Sequence, residues 1–313
     1  VNYSASADFD NGSCEFAQEV GISAIQQDMG AEDNGTYNGQ AVEVRGIVTG
    51  VYGSNTSIQD GEGAWSGICV YVSGGLLDDT THVAVGDSVI VAGTVGSFNG
   101  GTQLTGASAT ILNSGNALPA PLVLSTADAN LEEYEGVLCQ VTGAITGEIN
   151  NFGEFTIDDG SGNHTVDDLG YDGYTDQGAM LGDSYRVTGA INGSFGNSIE
   201  PRDANDFQKL GCTNPAANNY DSAAIIDDNS CEVVDGAISI ATIQQGQTLE
   251  PPVFTDSLVT VSGIVTGVYG SLFSVQEGTG AYSGLFGFNP EVAVAVGDFV
   301  ALTGVINEYF DLT

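Results

Sequence analysis

Positive charge is almost missing from this chain. Four lysines and arginines stand against 41 aspartates and glutamates, which leaves a net charge of −37 over 313 residues. So acidic a surface repels phosphate backbones and anionic lipid, so neither nucleic acid nor an anionic membrane is an expected partner. Arg45, Arg186, Arg202 and Lys209 are the entire cationic supply. They cannot furnish the basic groove through which single strands are usually held. Long apolar runs are also lacking, and without eighteen or more such residues in a row no helix spans a bilayer. The two histidines, His82 and His164, lie outside any metal-ligand spacing and are read as solvated loop residues. Without a convergent base, nucleophile or ligand set the expectation is a protein that is not an enzyme. Proline is scarce too, at 7 residues against 45 glycines.

What the chain has in abundance is self-similarity. Asn2–Cys14 (NYSASADFDNGSC) returns as Asn219–Cys231 (NYDSAAIIDDNSC), and Val44–Ser54 (VRGIVTGVYGS) returns as Val261–Ser271 (VSGIVTGVYGS). Both pairs are 217 residues apart (231 − 14 and 261 − 44). Two blocks that keep one offset mark the duplication of a large composite unit, which is how extended arrays are built. A finer comparison finds a third copy. Val42, Val44, Gly46 and Val48 match Cys139, Val141, Gly143 and Ile145, and again Val259, Val261, Gly263 and Val265. Each set alternates at period two around a central glycine, the pattern of a half-buried strand that bends or bulges.

Each copy continues with a strand and an acidic glycine turn: SIQDGEG from Ser57, TIDDGSG from Thr156 and SVQEGTG from Ser274. A second shared signature follows, GDSVIVAGTV from Gly86, GDSYRVTGAI from Gly182 and GDFVALTGVI from Gly297. Two glycine-bent strands with a hairpin between them imply a small, strongly curved barrel. The carboxylates that recur, Asp60 with Asp159 and Glu277, and Asp87 with Asp183 and Asp298, sit in turns, and turn geometry explains them.

These motifs resemble the OB-like domains of secreted bacterial proteins, often found beside nuclease or phosphoesterase domains, with their "GxVTGV…IQDGtG…vGDxVxVtGtV" pattern. Leu131–Val141 (LEEYEGVLCQV) is similar to the "YEGxLV" lead-in of the same family. The resemblance covers 41 to 113, 131 to 208 and 258 to 313, and implies an all-β chain of tandem OB-like barrels. Gly211–Glu232 (GCTNPAANNYDSAAIIDDNSCE) resembles a cysteine-bounded acidic repeat, "GCTDPxAxNYxxxAxxDDGSCxY", of secreted bacterial surface proteins. That likeness implies a disulfide between Cys212 and Cys231. In the N-terminal copy only Cys14 remains, and its partner is expected outside this stretch, at 212 − 217 = −5 or in a neighbouring chain. Asp10, Asn11, Asn219, Asp221, Asp227, Asp228 and Asn229 could gather hard oxygens around Ca²⁺. They lack the spacing of a committed calcium loop, and turns shaped by their own side chains are the alternative. Cys69 and Cys139 are expected to face barrel cores, and a disulfide between the two barrels stays open.

The expected organisation is therefore a partial acidic module (1–16), a linker (17–40), barrels at 41–125 and 126–210, a second acidic module (211–232), a linker (233–257) and an incomplete barrel (258–313). The third copy reaches only as far as Gln103-Leu104 of the first. Its closing strand is expected either from further along the chain or from another subunit. Trp65 and Tyr282 occupy equivalent positions, as do Tyr52 and Tyr269, and such aromatics either stack on sugars or cover a barrel contact. The leading functional expectation is an extracellular structural or adhesive repeat protein whose partners are copies of itself in a fibre, filament or matrix. A glycan-binding module, or the accessory region of a secreted nuclease or phosphoesterase, is the alternative.

Overall fold

In the computed structural model, the described residues are 17–30, 34–78, 81–215, 217, 219–231, 236–248, 252–288 and 293–307. The chain is all-β apart from short helices, and it divides into two units, Val1–Gln208 and Lys209–Thr313.

The first unit holds two barrels. In the first barrel, strands β1 (Ala41–Tyr52), β2 (Asn55–Gln59), β3 (Gly67–Tyr71), β4 (Ser88–Phe98) and β5 (Gly101–Asn113) join in the order β1-β2-β3-β5-β4. The ring closes where β4 pairs back onto β1, and β3 runs parallel to β5. This is the five-stranded Greek-key ring of an OB fold. The period-two pattern sets which side chains face inward. Val42, Val44 and Val48 are buried with Ile58, Ile68, Val89, Val91 and Leu104. Gly46 is required because a Cβ there would lie 2.8 Å from the Gln59 carbonyl oxygen, and the register shift between Val48 and Gly50 supplies the bend.

Helix α1 (Ile22–Met29) precedes β1 and sends Ile22, Ile25 and Met29 into the same core. Residues 17–40, expected as a linker, are thus in part a wall of the barrel. The Ile22 amide, one of the unpaired donors of the helix start, donates to Asp60 Oδ2 at 2.9 Å.

The second barrel repeats the ring with β6 (Leu138–Ile145), β7 (Phe155–Asp158), β8 (His164–Val166), β9 (Ser184–Asn192) and β10 (Ser198–Glu200). The order is β6-β7-β8-β10-β9 with closure between β9 and β6, and β8 is parallel to β10. Its core is more aromatic. Tyr185 and Phe207 stack at 4.0 Å, with Tyr174 and Phe155 edge-on around them. His164 is not a solvated loop residue. It is buried in β8, its Nδ1 lies 3.0 Å from Asn130 Oδ1, and desolvation lowers it to about 4. Short strands rich in β-branched residues leave few loop positions, and this histidine falls on an inward one.

In the second unit, helix α2 (Ile240–Gln247) lies before strands β11 (Leu258–Tyr269), β12 (Leu272–Gln276), β13 (Gly284–Phe288) and β14 (Phe299–Val305). Ile240 and Ile243 pack on Val259, Val261, Val265, Phe273 and Val275. Here too the expected linker, 233–257, contributes to the core. The sheet order is β13-β12-β11-β14, a half-barrel in which, among the described residues, no strand occupies the place that β5 fills in the first copy.

The recurring carboxylates have structural tasks. Asp60 and Glu277 cap the incoming helices, the latter accepting from the Ile240 amide at 2.6 Å, while Asp159 accepts from Thr126 Oγ1 at 2.7 Å. Asp87, Asp183 and Asp298 each accept from the amide three residues before, on Ala84, Met180 and Ala295.

Candidate functional site

Two features outside the barrel cores have a built geometry: the junction of the first two barrels, and the acidic module. The junction begins with two glycines. A Cβ on Gly67 would overlap the Gly136 carbonyl, and a Cβ on Gly136, whose φ is +73°, would overlap the Ile68 amide. Backbone thus meets backbone with no side chain between, an approach only glycine permits. Around this contact the Trp65 amide donates to the Glu133 carbonyl at 2.6 Å, and the Leu138 amide donates to Gln59 Oε1 at 3.0 Å. Gln26 of α1 donates through Nε2 to the Gly67 carbonyl at 2.7 Å and to the Glu135 carbonyl at 3.4 Å.

A second group of contacts lies on the first barrel's Thr49–Tyr52 segment. Arg202 grips Asp206 with Nε at 2.6 Å and Nη2 at 2.8 Å, and its Nη1 donates to the Thr49 carbonyl at 3.2 Å. Tyr52 is only 5 % exposed, and a Cβ on Gly170 would meet its ring at 2.6 Å. Burial, with the Glu200 charge added, pushes the Tyr52 phenol well above its usual range. A third contact pairs the hairpin tips: Phe98 meets Phe195 edge-on at 5.6 Å, and the Phe195 amide donates to the Asn99 carbonyl at 3.0 Å.

The junction also buries acid. Glu200 is 1 % exposed, and its Oε1 accepts from Ser198 Oγ at 2.9 Å and Asn192 Nδ2 at 3.3 Å. Burial, reinforced by the charge of Asp167, raises its carboxyl to about 8. Cys69 is half-buried and free, and burial together with Glu135 and Glu200 pushes its thiol up to about 12. It lies among these carboxylates, whereas Cys139 is fully buried in the second core and also free, so no disulfide links the barrels. Thiols held this far above neutrality are not nucleophiles.

In the acidic module Cys212 and Cys231 form the expected disulfide. Asp221 Oδ2 takes the Lys209 ammonium at 2.9 Å, and its Oδ1 accepts from the Ala223 amide. Burial works against ionisation there, but Lys209 and the amide donors hold Asp221 below the usual carboxylate range. Asp227 and Asp228 accept from the Asn229 and Ser230 amides, and Asn219 Nδ2 donates to the Ser230 carbonyl at 2.7 Å. The Asp227 and Asp228 oxygens are turned to the module's own backbone, and Asp221 is shared between that backbone and Lys209. Among the described residues no three acidic, histidine or cysteine side chains converge as a metal-holding group. Cys14, Asp10 and Asn11 lie outside the described residues. Closing a loop with a sequence separation of 19 stabilises by about 3 kcal/mol on the chain-entropy estimate. The double variant Cys212→Ser/Cys231→Ser is therefore expected to expose 212–231 to proteolysis under conditions that leave the parent module intact. Equal cleavage of parent and variant would contradict this.

Of the four candidate aromatics, the structure brings Tyr52 and Trp65 into the junction, one covered and one half-buried. Tyr52 has no face left for a sugar. Tyr269 and Tyr282 are 65 % and 51 % exposed on the third copy. Sequence reasoning missed Gln26, Gly67, Gly136 and Glu200. One signal was present: Ile25-Gln26-Gln27 returns as Ile243-Gln244-Gln245, one residue out of phase with the 217-residue offset.

No family model matches the chain, and no curated protein matches it. Among solved structures, one described as "Structural mimicry for functional antagonism" is 13% identical with a TM-score of 0.25, over 55% of this chain and 95% of that one. A multidomain protein with nucleic acid binding domains from Streptococcus pneumoniae is 12% identical with a TM-score of 0.15, over 85% of this chain and 68% of that one. Likenesses this slight carry neither fold nor function.

Proposed function

We propose that the chain is a non-enzymatic structural repeat protein of an extracellular fibre, filament or matrix, whose partners are further copies of its own units. The observation that carries this reading is the junction: two barrels are fixed backbone to backbone through Gly67 and Gly136, with Arg202, Tyr52 and Gln26 clamping either side. Such a joint transmits load and sets an angle. The duplication at 217 residues supports a role in an array. A disulfide suits an oxidising compartment, and no helix among the described residues is long and apolar enough to cross a membrane. The acidic surface keeps arrays apart sideways, so contacts along an array fall to faces where backbone meets backbone, like the one around Gly67.

Among the described residues the half-barrel's edge strands β13 and β14 lack the neighbour that β5 provides in the first copy, and a strand from this chain or another copy would cover that edge. The reading is tested by extracting the native material without reductant and sizing it. High-mass species that contain the chain are expected. A lone monomer-sized species, or one that cleaves phosphodiesters, would overturn it.

A further inference from the structure

The first barrel carries a docked neighbour, and the third copy carries the same face with its Tyr269 and Tyr282 exposed. Gln244 Nε2 donates to the Gly284 carbonyl at 2.7 Å, as Gln26 Nε2 does to Gly67 at 2.7 Å. Tyr282 and Trp65 both hold φ at +65°, a left-handed conformation that large side chains rarely adopt. Each is followed by a serine whose Oγ donates at 2.6 Å to the carbonyl three residues back, Gly280 in one copy and Gly63 in the other. In the first barrel this turn aims the Trp65 amide at Glu133 of the second barrel.

The polar arm of the face is also repeated. Gln276 Nε2 donates to the Gly278 carbonyl at 2.6 Å, as Gln59 Nε2 does to Gly61 at 2.8 Å, and Gln59 held in this way receives the Leu138 amide. Tyr269 folds back over Gly267 as Tyr52 does over Gly50, so both phenols take one conformation. Yet Tyr52 is 5 % exposed and Tyr269 65 %.

Gly284 adds to the match. Gly67 is glycine because the backbone of Gly136 presses on it, whereas a Cβ on Gly284 would find nothing closer than the Val275 carbonyl at 3.9 Å. Among the described residues of the second unit, none comes close enough to a Cβ at that place to demand glycine. A partner that approaches as Gly136 approaches Gly67 would demand it.

We propose that Tyr269, Gln276, Tyr282 and Gly284 form a preorganised docking face for a barrel of the second type, supplied by the next repeat unit in sequence. The occupant's chemistry is fixed by the complement already in the chain: a lead-in glycine of positive φ, two carbonyls and an amide placed like those of Glu133, Glu135 and Leu138, and an arginine forked on a carboxylate. Holding the bound conformation before the partner arrives lowers the ordering cost of docking. The inference rests on the array reading, because only a further unit brings a second-type barrel whose own face is not already spent.

The test extends the chain after Asn307, the equivalent of Gly96, with the sequence of residues 97–211. Amide hydrogen exchange is then read at Tyr282 and Gly284. The expected result is protection that rises at least about tenfold over the 313-residue chain, toward that of Trp65 and Gly67. In the extended chain Gly284→Val, whose Cβ meets nothing closer than 3.9 Å among the described residues of the third copy, is expected to abolish that protection while the protected amides of β11 and β12 stay unchanged. An appended barrel that protects its own strands while Tyr282 and Gly284 exchange as before would overturn the proposal, as would full protection in Gly284→Val. A glycan that protects both residues while the barrel does not would overturn it in favour of a sugar platform. Fibres seen in extracted material without protection of this face would sink the docking and leave the array reading standing; protection without fibres would do the reverse.

Discussion

Valine at position 136 is expected to separate the first two barrels. Gly136 has a φ of +73° and its α-carbon faces the Gly67–Ile68 peptide so closely that any Cβ overlaps it. A β-branched residue in the left-handed region costs about 1–3 kcal/mol on its own, and overpacking adds about 1–3 kcal/mol more. The combined loss is large against a domain stability of about 5–15 kcal/mol. Gly160→Val isolates the contact. Gly160 has a φ of +98° and open space around it, so that variant carries only the backbone term. Urea unfolding followed at Trp65 in the first barrel and by the tyrosines of the second is expected to give coincident transitions in the parent and in Gly160→Val. In Gly136→Val the transitions should part, the second barrel melting at lower denaturant. Equal losses for the two variants with coincident transitions would show that the glycine contact does not couple the barrels.

The second large effect is a Glu200-linked stability that falls as pH rises, most visibly from about 6.5 to 8. Burial and the Asp167 charge raise the Glu200 carboxyl to about 8, from 4.5 for the free group. Between those values the unfolded chain has released the proton and the folded chain retains it. The contribution of Glu200 to folding is therefore most favourable below the unfolded value and weakens up to about 8, at about 1.4 kcal/mol for each pH unit traversed by a fully protonated group. Asp167 and Asp60, also raised by burial, add to the same slope. Asp159, held at about 2 by the Ser161 and Thr126 hydroxyls, works the other way in acid, between its free value of 3.8 and 2. Buried His164, at about 4 against 6.5 for the free ring, also works the other way between those two values and offsets the Glu200 slope there. Glu200→Gln keeps the shape of the protonated acid and removes the titration. Its stability is expected to exceed the parent's at pH 8 and to match it near pH 4, with a visibly flatter curve between. Parallel curves for parent and variant would contradict the assignment of this slope to Glu200.

Much of the fold was legible because strand periodicity and turn chemistry are local. The alternation around Gly46, Gly143 and Gly263 marks β1, β6 and β11, and the acidic glycine turns mark the hairpins that follow. The disulfide of the acidic module was implied by a motif that encloses it. The helices Ile22–Met29 and Ile240–Gln247 were not legible. At eight residues they carry two turns of pattern, too few to stand out from a polar linker. The junction escaped for a different reason. Whether Tyr52 or Gly67 lies on a free or a covered face depends on what docks there, and no periodicity along one strand records it. His164 and Glu200 are polar residues whose burial comes from neighbours far along the chain, and a polar residue in a glycine-rich sequence is read as exposed by default. Gly67 and Gly284 were the most informative residues overlooked, since the first is held to glycine by the backbone of the second barrel and the second occupies the same place in the third copy.

The claim on which the account depends is that these barrels are laid in series as building material. Electron microscopy of the native material, labelled with an antibody against the Cys212–Cys231 module, addresses it directly. The account predicts labelled filaments with one label for each repeat along their length. Labelled solitary particles that never associate, under the same conditions of salt and pH, would contradict it.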